Sequence, residues 1–114
     1  MKKRTLILAA AGVMIAGTAF ADPIVGNWRT GEGGQTKIAA CGSNFCVSVT
    51  SGEFAGQQIG TFSKNGDKYT GSITDPAEGK KYRGAAWFAG ANTLKMRGSV
   101  LGGLVGRTDT WTRR

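Results

Sequence analysis

The sequence predicts an all-β domain, a small antiparallel meander of about eight strands closed into a barrel or a sandwich. Three observations carry this. Beyond the first residues, no window keeps apolar residues at i, i+3, i+4 and i+7 for the three turns of an ordinary helix. Short stretches rich in Val, Ile, Thr, Tyr, Phe and Trp instead alternate with Gly, Asn and Asp at intervals of about ten residues. The 19 glycines are spread along the chain and never gather into a long Gly/Ser run, so they suit tight turns and close strand packing better than a flexible linker.

The N-terminus is of another kind. Met-Lys-Lys-Arg4 precedes an apolar run from Thr5 to Phe20, and Ala19-Phe20-Ala21 has the A-x-A form of a cleavage site. A signal-peptide helix over residues 1–21, removed after Ala21, is expected, with residues 22–114 as a single domain and the periplasm as its compartment. Roughly 15 apolar residues are fewer than the ~20 needed to span a bilayer, so no stable membrane span is expected after cleavage. Asp22 stands where a lipid-bearing Cys would be required.

Taken in order, the expected strands are 24–30, 35–40, 45–50, 57–64, 68–74, 80–89, 93–101 and 104–112. Asn65-Gly66 is a strong hairpin signal, and a two-residue loop there pairs Phe62 with Tyr69 and Gly60 with Gly71. Asp75-Pro-Ala-Glu-Gly79 reads as a turn, with Pro setting φ and Gly ending it. Gly102-Gly103 is a second two-residue turn; counting outward pairs Val100 with Val105, Gly98 with Arg107, Met96 with Asp109 and Leu94 with Trp111. The face of Leu94, Met96, Val100, Val105 and Trp111 is then the apolar one. It brings Arg107 and Asp109 inward, as a closing ion pair, a polar barrel end or ligand-facing groups. Eight strands enclose an interior that side chains just fill or that holds one small ligand.

Cys41 and Cys46 are the only cysteines, and in an oxidising compartment a disulfide is the expected state. The intervening Gly-Ser-Asn-Phe reads as a four-residue turn between opposed strand ends, and closing it stabilises the fold by about 2 kcal/mol. The spacing is not the C-x-x-C of a redox site, and a chain without histidine is poorly equipped for zinc; no metal or cofactor is expected.

Gly26-Asn-Trp28, the two cysteines, Asn65-Gly-Asp67, Asp75-Pro-Ala-Glu-Gly-Lys80 with Tyr82, Leu94-Lys-Met-Arg-Gly98 and Gly106-Arg-Thr-Asp-Thr-Trp-Thr-Arg113 follow one another in that order. This series resembles the bacterial family of small exported proteins known as domain of unknown function 2147, over essentially the whole chain after the leader. The resemblance implies a lipocalin-like or calycin-like β-barrel, periplasmic or secreted, with no established biochemical activity. In calycin barrels a tryptophan near the start of the first strand stacks under an arginine from the last, a contact of about 0.5 to 2 kcal/mol. Trp28 is similar to that tryptophan, with Arg107 or Arg113 as its structural partner.

The formal charge of +8 includes Lys2, Lys3 and Arg4, and about +5 remains without them, which favours neutral or anionic partners. The basic residues are scattered, and nucleic acid is not expected as a partner. One function that fits is a binding module taking a small apolar or amphipathic envelope ligand into the barrel among Phe62, Tyr69, Tyr82, Phe88 and Trp111, residues that plain core packing would also explain. The alternative is an interaction protein that docks to an anionic envelope polymer or a protein through an outer face carrying Lys81, Arg83, Lys95 and Arg97. Catalysis is not expected. The chain has no histidine, no G-x-S-x-G elbow, phosphate loop or H-E-x-x-H, Gly31-Glu-Gly-Gly34 reads as a hairpin, and Asp75 and Glu78 sit in a turn where Asp caps its own backbone. The sequence assigns no oligomeric state.

Overall fold

The computed structural model describes residues 22–114, so the expected leader helix and its cleavage point lie outside the described residues. The chain forms β1 (Gly26–Arg29), β2 (Gln35–Cys41), β3 (Asn44–Val49), β4 (Gln58–Asn65), β5 (Lys68–Asp75), β6 (Lys80–Gly90), β7 (Thr93–Val100) and β8 (Val105–Arg113). Each strand pairs antiparallel with the next, and β8 returns to β1, giving a closed eight-stranded barrel. Closure rests on two residue pairs, Trp28 with Arg113 and Arg29 with Thr112, and decides between barrel and sandwich.

Period-two alternation sends one face of each strand inward. Ile24, Trp28, Ile38, Val47, Phe62, Tyr69, Ala86, Leu94, Met96 and Trp111 form the buried core, with Phe45 and Phe88 packed against it. The meander gathers the β1–β2, β3–β4, β5–β6 and β7–β8 connections at one end. The other end holds the remaining turns together with the segment that enters β1.

The expected β7–β8 register is the observed one, from Leu94 opposite Trp111 to Val100 opposite Val105. Its turn is longer than expected. Leu101–Gly103 forms a 3₁₀ turn and Leu104 stays outside the ladder, so the two glycines are not a simple two-residue hairpin.

The β4–β5 register differs from expectation. Phe62 lies opposite Gly71 and Lys64 opposite Tyr69, so the two-residue loop is Gly66-Asp67 and not Asn65-Gly66. Gly66, at φ 70°, takes the first loop position, as a II′-type turn asks. The Phe62 ring gives the physical reason. Phe62 lies opposite Gly71, which pairs with Gly84, and a Cβ built on Gly84 would come within 2.7 Å of the ring, so the ring packs on the glycine two strands away. The offset of two residues keeps Phe62 and Tyr69 facing inward.

Cys41 and Cys46 are joined by a disulfide. The connection is a two-residue turn at Gly42-Ser43, with Cys41 opposite Asn44 and Cys46 opposite Ala39. The bridge therefore runs diagonally across the outer face of the hairpin and does not join opposed positions. Gly42, at φ 66°, permits the tighter turn. The turn after β5 is as expected: the amide of Ala77 donates to the Asp75 carboxylate at 2.9 Å, and that of Gly79 to the Asp75 carbonyl at 2.7 Å.

Candidate functional site

The two ends of the barrel differ in how they are filled. At the end where β1 begins, Trp28 is fully buried and donates its indole N–H to the carbonyl of Ile24 at 2.9 Å. The Arg113 guanidinium lies 4.3 Å from the centre of its ring. Between the two expected arginines the β1–β8 register decides, because it sets Arg113 directly opposite Trp28. Arg107, six positions back along the strand, is some 20 Å away. The fork of Arg113 also donates to the carbonyls of Pro23 at 2.7 Å and Val25 at 3.4 Å, and its Nε donates to the Asn92 side chain at 3.2 Å. One side chain thereby ties the entering segment, the β6–β7 turn and the last strand together.

Beside it sits Asp22, which sequence reasoning gave no role. Its carboxylate accepts hydrogen bonds from the Tyr69 hydroxyl, from the Ile24 amide at 3.0 Å and from Lys64 Nζ at 2.9 Å. Burial pushes its pKa up, but the hydrogen bonds from Tyr69, Lys64 and Ile24 outweigh that and hold it below the ordinary carboxylate value. Tyr69 moves the opposite way: burial first, then its bond to the Asp22 carboxylate, raise its pKa well above that of a free tyrosine. Phe45, Tyr69, Phe88 and Trp28 are in edge or tilted ring contact there, with centroids 5.7 to 6.3 Å apart, and fill the interior; the recess at this end runs over the rim, from Pro23 to the β4–β5 turn.

The opposite end is open. A cavity of about 630 Å³ enters the barrel there, within the range of small-molecule sites. Buried Met96 and Trp111 form its floor, and Ile59, Ile73, Tyr82 and Val100 its apolar wall. Asp75, Glu78 and Asp109 bring three acidic groups to the lining, and Lys80 and Arg107 two basic ones. Gly98 leaves the space against Tyr82 and Ile73 clear. Ile59 joins this wall because β4 carries a bulge opposite Val47 and Ser48, which interrupts the alternation and cannot be read from period two.

The expected ligand residues thus divide into two groups. Tyr82, Arg107, Asp109 and Trp111 line the open cavity, whereas Phe62, Tyr69 and Phe88 belong to the filled half. Arg107 and Asp109 do not form the closing ion pair; among the described residues the only ion pair is Lys64–Asp22. Asp109 instead accepts from the Trp111 indole at 3.0 Å and from the Gly31 amide at 3.1 Å, clasping the β1–β2 turn to β8 where the two-pair ladder has ended. A Cβ on Gly31 would lie 2.1 Å from that carboxylate. The turn itself is the expected hairpin, closed by Thr30 and Gly34 at 2.8 Å. On the outer face, Lys95 donates to Thr110 at 2.7 Å and Arg97 to the Gly103 carbonyl at 3.3 Å, which leaves Lys81 and Arg83 as the exposed members of the expected basic stripe.

The fold and site define a small closed meander barrel, plugged at one end by a Trp–Arg stack and open at the other into an apolar cavity. A family model described as "Uncharacterized protein conserved in bacteria (DUF2147)" matches residues 26–113, and the chain belongs to this family. No curated protein and no solved structure matches the chain.

Proposed function

We propose that this protein is a non-catalytic binding protein of the bacterial envelope that takes a small amphipathic molecule into the open half of its barrel. The observation that carries the reading is the unequal filling of the interior. Large rings complete the core at one end, while at the other Gly98, Val100 and Ile73 leave an apolar recess that opens to solvent. Such a recess favours an apolar body, by about 25 cal/mol for each Å² removed from water. Arg107, Lys80, Asp75 and Glu78 would receive a polar head group of either sign, so the bound molecule carries both parts.

The leader, with its basic start and A-x-A ending, supports an envelope location. The test is displacement of an environment-sensitive fluorophore from the purified protein. Wild type should bind and release it to amphipathic competitors. A Gly98→Leu variant, whose side chain projects into the recess next to Tyr82 and Ile73, should fold and bind at least ~10-fold less. Equal binding by both proteins, or none by wild type, overturns the reading.

A further inference from the structure

Among the described residues, three large apolar side chains are exposed: Leu101 at 71 %, Leu104 at 86 % and Val105 at 55 %. All three belong to one hairpin tip, the β7–β8 turn, at the same end as the cavity mouth. Val105 lines the cavity, and Leu101 and Leu104 stand outside it. Leu101 holds φ at 55°, a left-handed conformation that costs a leucine about 1 kcal/mol and that Gly or Asn would adopt freely. The next two positions, Gly102 and Gly103, are glycines at φ 67° and 97°, so three successive turn positions take positive φ before Leu104 returns to −70°, and the first of them still keeps a leucine.

We propose that this tip docks the barrel on a lipid surface, with Leu101 and Leu104 inserted among acyl chains and the cavity mouth facing the membrane. The proposal rests on the reading of the cavity as a binding site and names where its amphipathic ligand comes from. Two observations favour lipid over a second copy of the chain. Three side chains make a patch far below the ~800 Å² per partner of a stable protein interface, whereas a short apolar wedge suffices for reversible attachment at a bilayer boundary. Cationic groups also flank the wedge. The Arg97 guanidinium is fixed at its base by the Gly103 carbonyl, and Arg107 follows Val105 by two positions, so both meet anionic head groups when the leucines insert. Asp75 and Glu78, with Lys80 beside them, leave the neighbouring β5–β6 turn net acidic, and Asp109 on β8 is taken up by the Gly31 amide and the Trp111 indole, so the attraction lies at Arg97 and Arg107.

The experiment is flotation of the purified exported protein with phosphatidylglycerol/phosphatidylethanolamine vesicles, alongside fluorophore binding and gel filtration. The variant is Leu101→Asn/Leu104→Ser, which removes the apolar wedge, suits the turn and leaves the cavity lining intact. Wild type should float and the variant should partition at least ~10-fold less, while both bind the fluorophore alike in solution. Equal flotation of the two proteins, or no flotation of wild type, overturns docking and leaves the cavity reading in place. A wild-type dimer that becomes a monomer in the variant overturns it in favour of self-association. Absence of fluorophore binding by wild type overturns the cavity reading and the loading role with it.

Discussion

The carboxylate of Asp109 occupies the space that a side chain at residue 31 would need, and it accepts a hydrogen bond from the Gly31 amide at 3.1 Å. Gly31→Ala should therefore expel the carboxylate from its place and lower stability by about 2 kcal/mol in denaturant unfolding. In an Asp109→Ala background the same change should cost much less, because the clash and the bond are both gone. Additive effects of the two substitutions would show that the clasp is not formed.

Phe62 sets its ring against Gly84 and its backbone against Gly71, and these two positions should respond differently to alanine. At Gly84 a Cβ meets the tip of the Phe62 ring at 2.7 Å, and the ring can give; a loss of about 2 kcal/mol is expected. At Gly71 it meets the Thr61 carbonyl at 1.9 Å, which is backbone, so the loss should be larger and the β4–β5 pairing itself disturbed. Thermal unfolding with amide chemical shifts along both strands separates the two outcomes.

Stability should fall at both ends of the pH scale through one pair of residues. The pKa of Asp22 is lower in the folded chain than its ordinary 3.8, so the charged carboxylate stabilises the fold above that value and the contribution fades as pH drops through the folded pKa. Tyr69 is raised from 10.0, so its contribution is complete below pH 10 and disappears as pH rises through the folded value. Asp22→Asn should flatten the acid limb in urea titrations run below pH 5, at a cost of about 1 to 2 kcal/mol near neutrality.

Arg113 should not be replaceable by lysine. Its planar fork covers the Trp28 ring while donating to the carbonyls of Pro23 and Val25, and an ammonium cannot reproduce that arrangement. Arg113→Lys should lose about 2 kcal/mol, and a cycle with Trp28→Phe should give a coupling of about 0.5 to 2 kcal/mol.

Much of the barrel was legible because strands advertise themselves locally. The β7–β8 register followed from two long uninterrupted runs around paired glycines, and the Trp28 stack was expected up to the choice of arginine, which the closure register settles. The β4–β5 register is misplaced by Asn65-Gly66 because that is a local signal, while the space for the Phe62 ring is left by Gly84, two strands away. The Arg107–Asp109 pair failed for the same reason: spacing along one strand does not show that the Gly31 amide and the Trp111 indole compete for the carboxylate. Asp22 and the exposed leucines had no pattern to announce them, since a side chain's role at a barrel rim depends on what the closed cylinder sets beside it.

The seam between β1 and β8 joins the two ends of the domain through two residue pairs, where β5, β6 and β7 share long ladders with one another. A cylinder hinged in this way breathes along its shortest zipper. Amide hydrogens of β1 and the latter half of β8 should exchange soonest with solvent deuterium, and transient parting there would widen the interior without unmaking the sheet opposite.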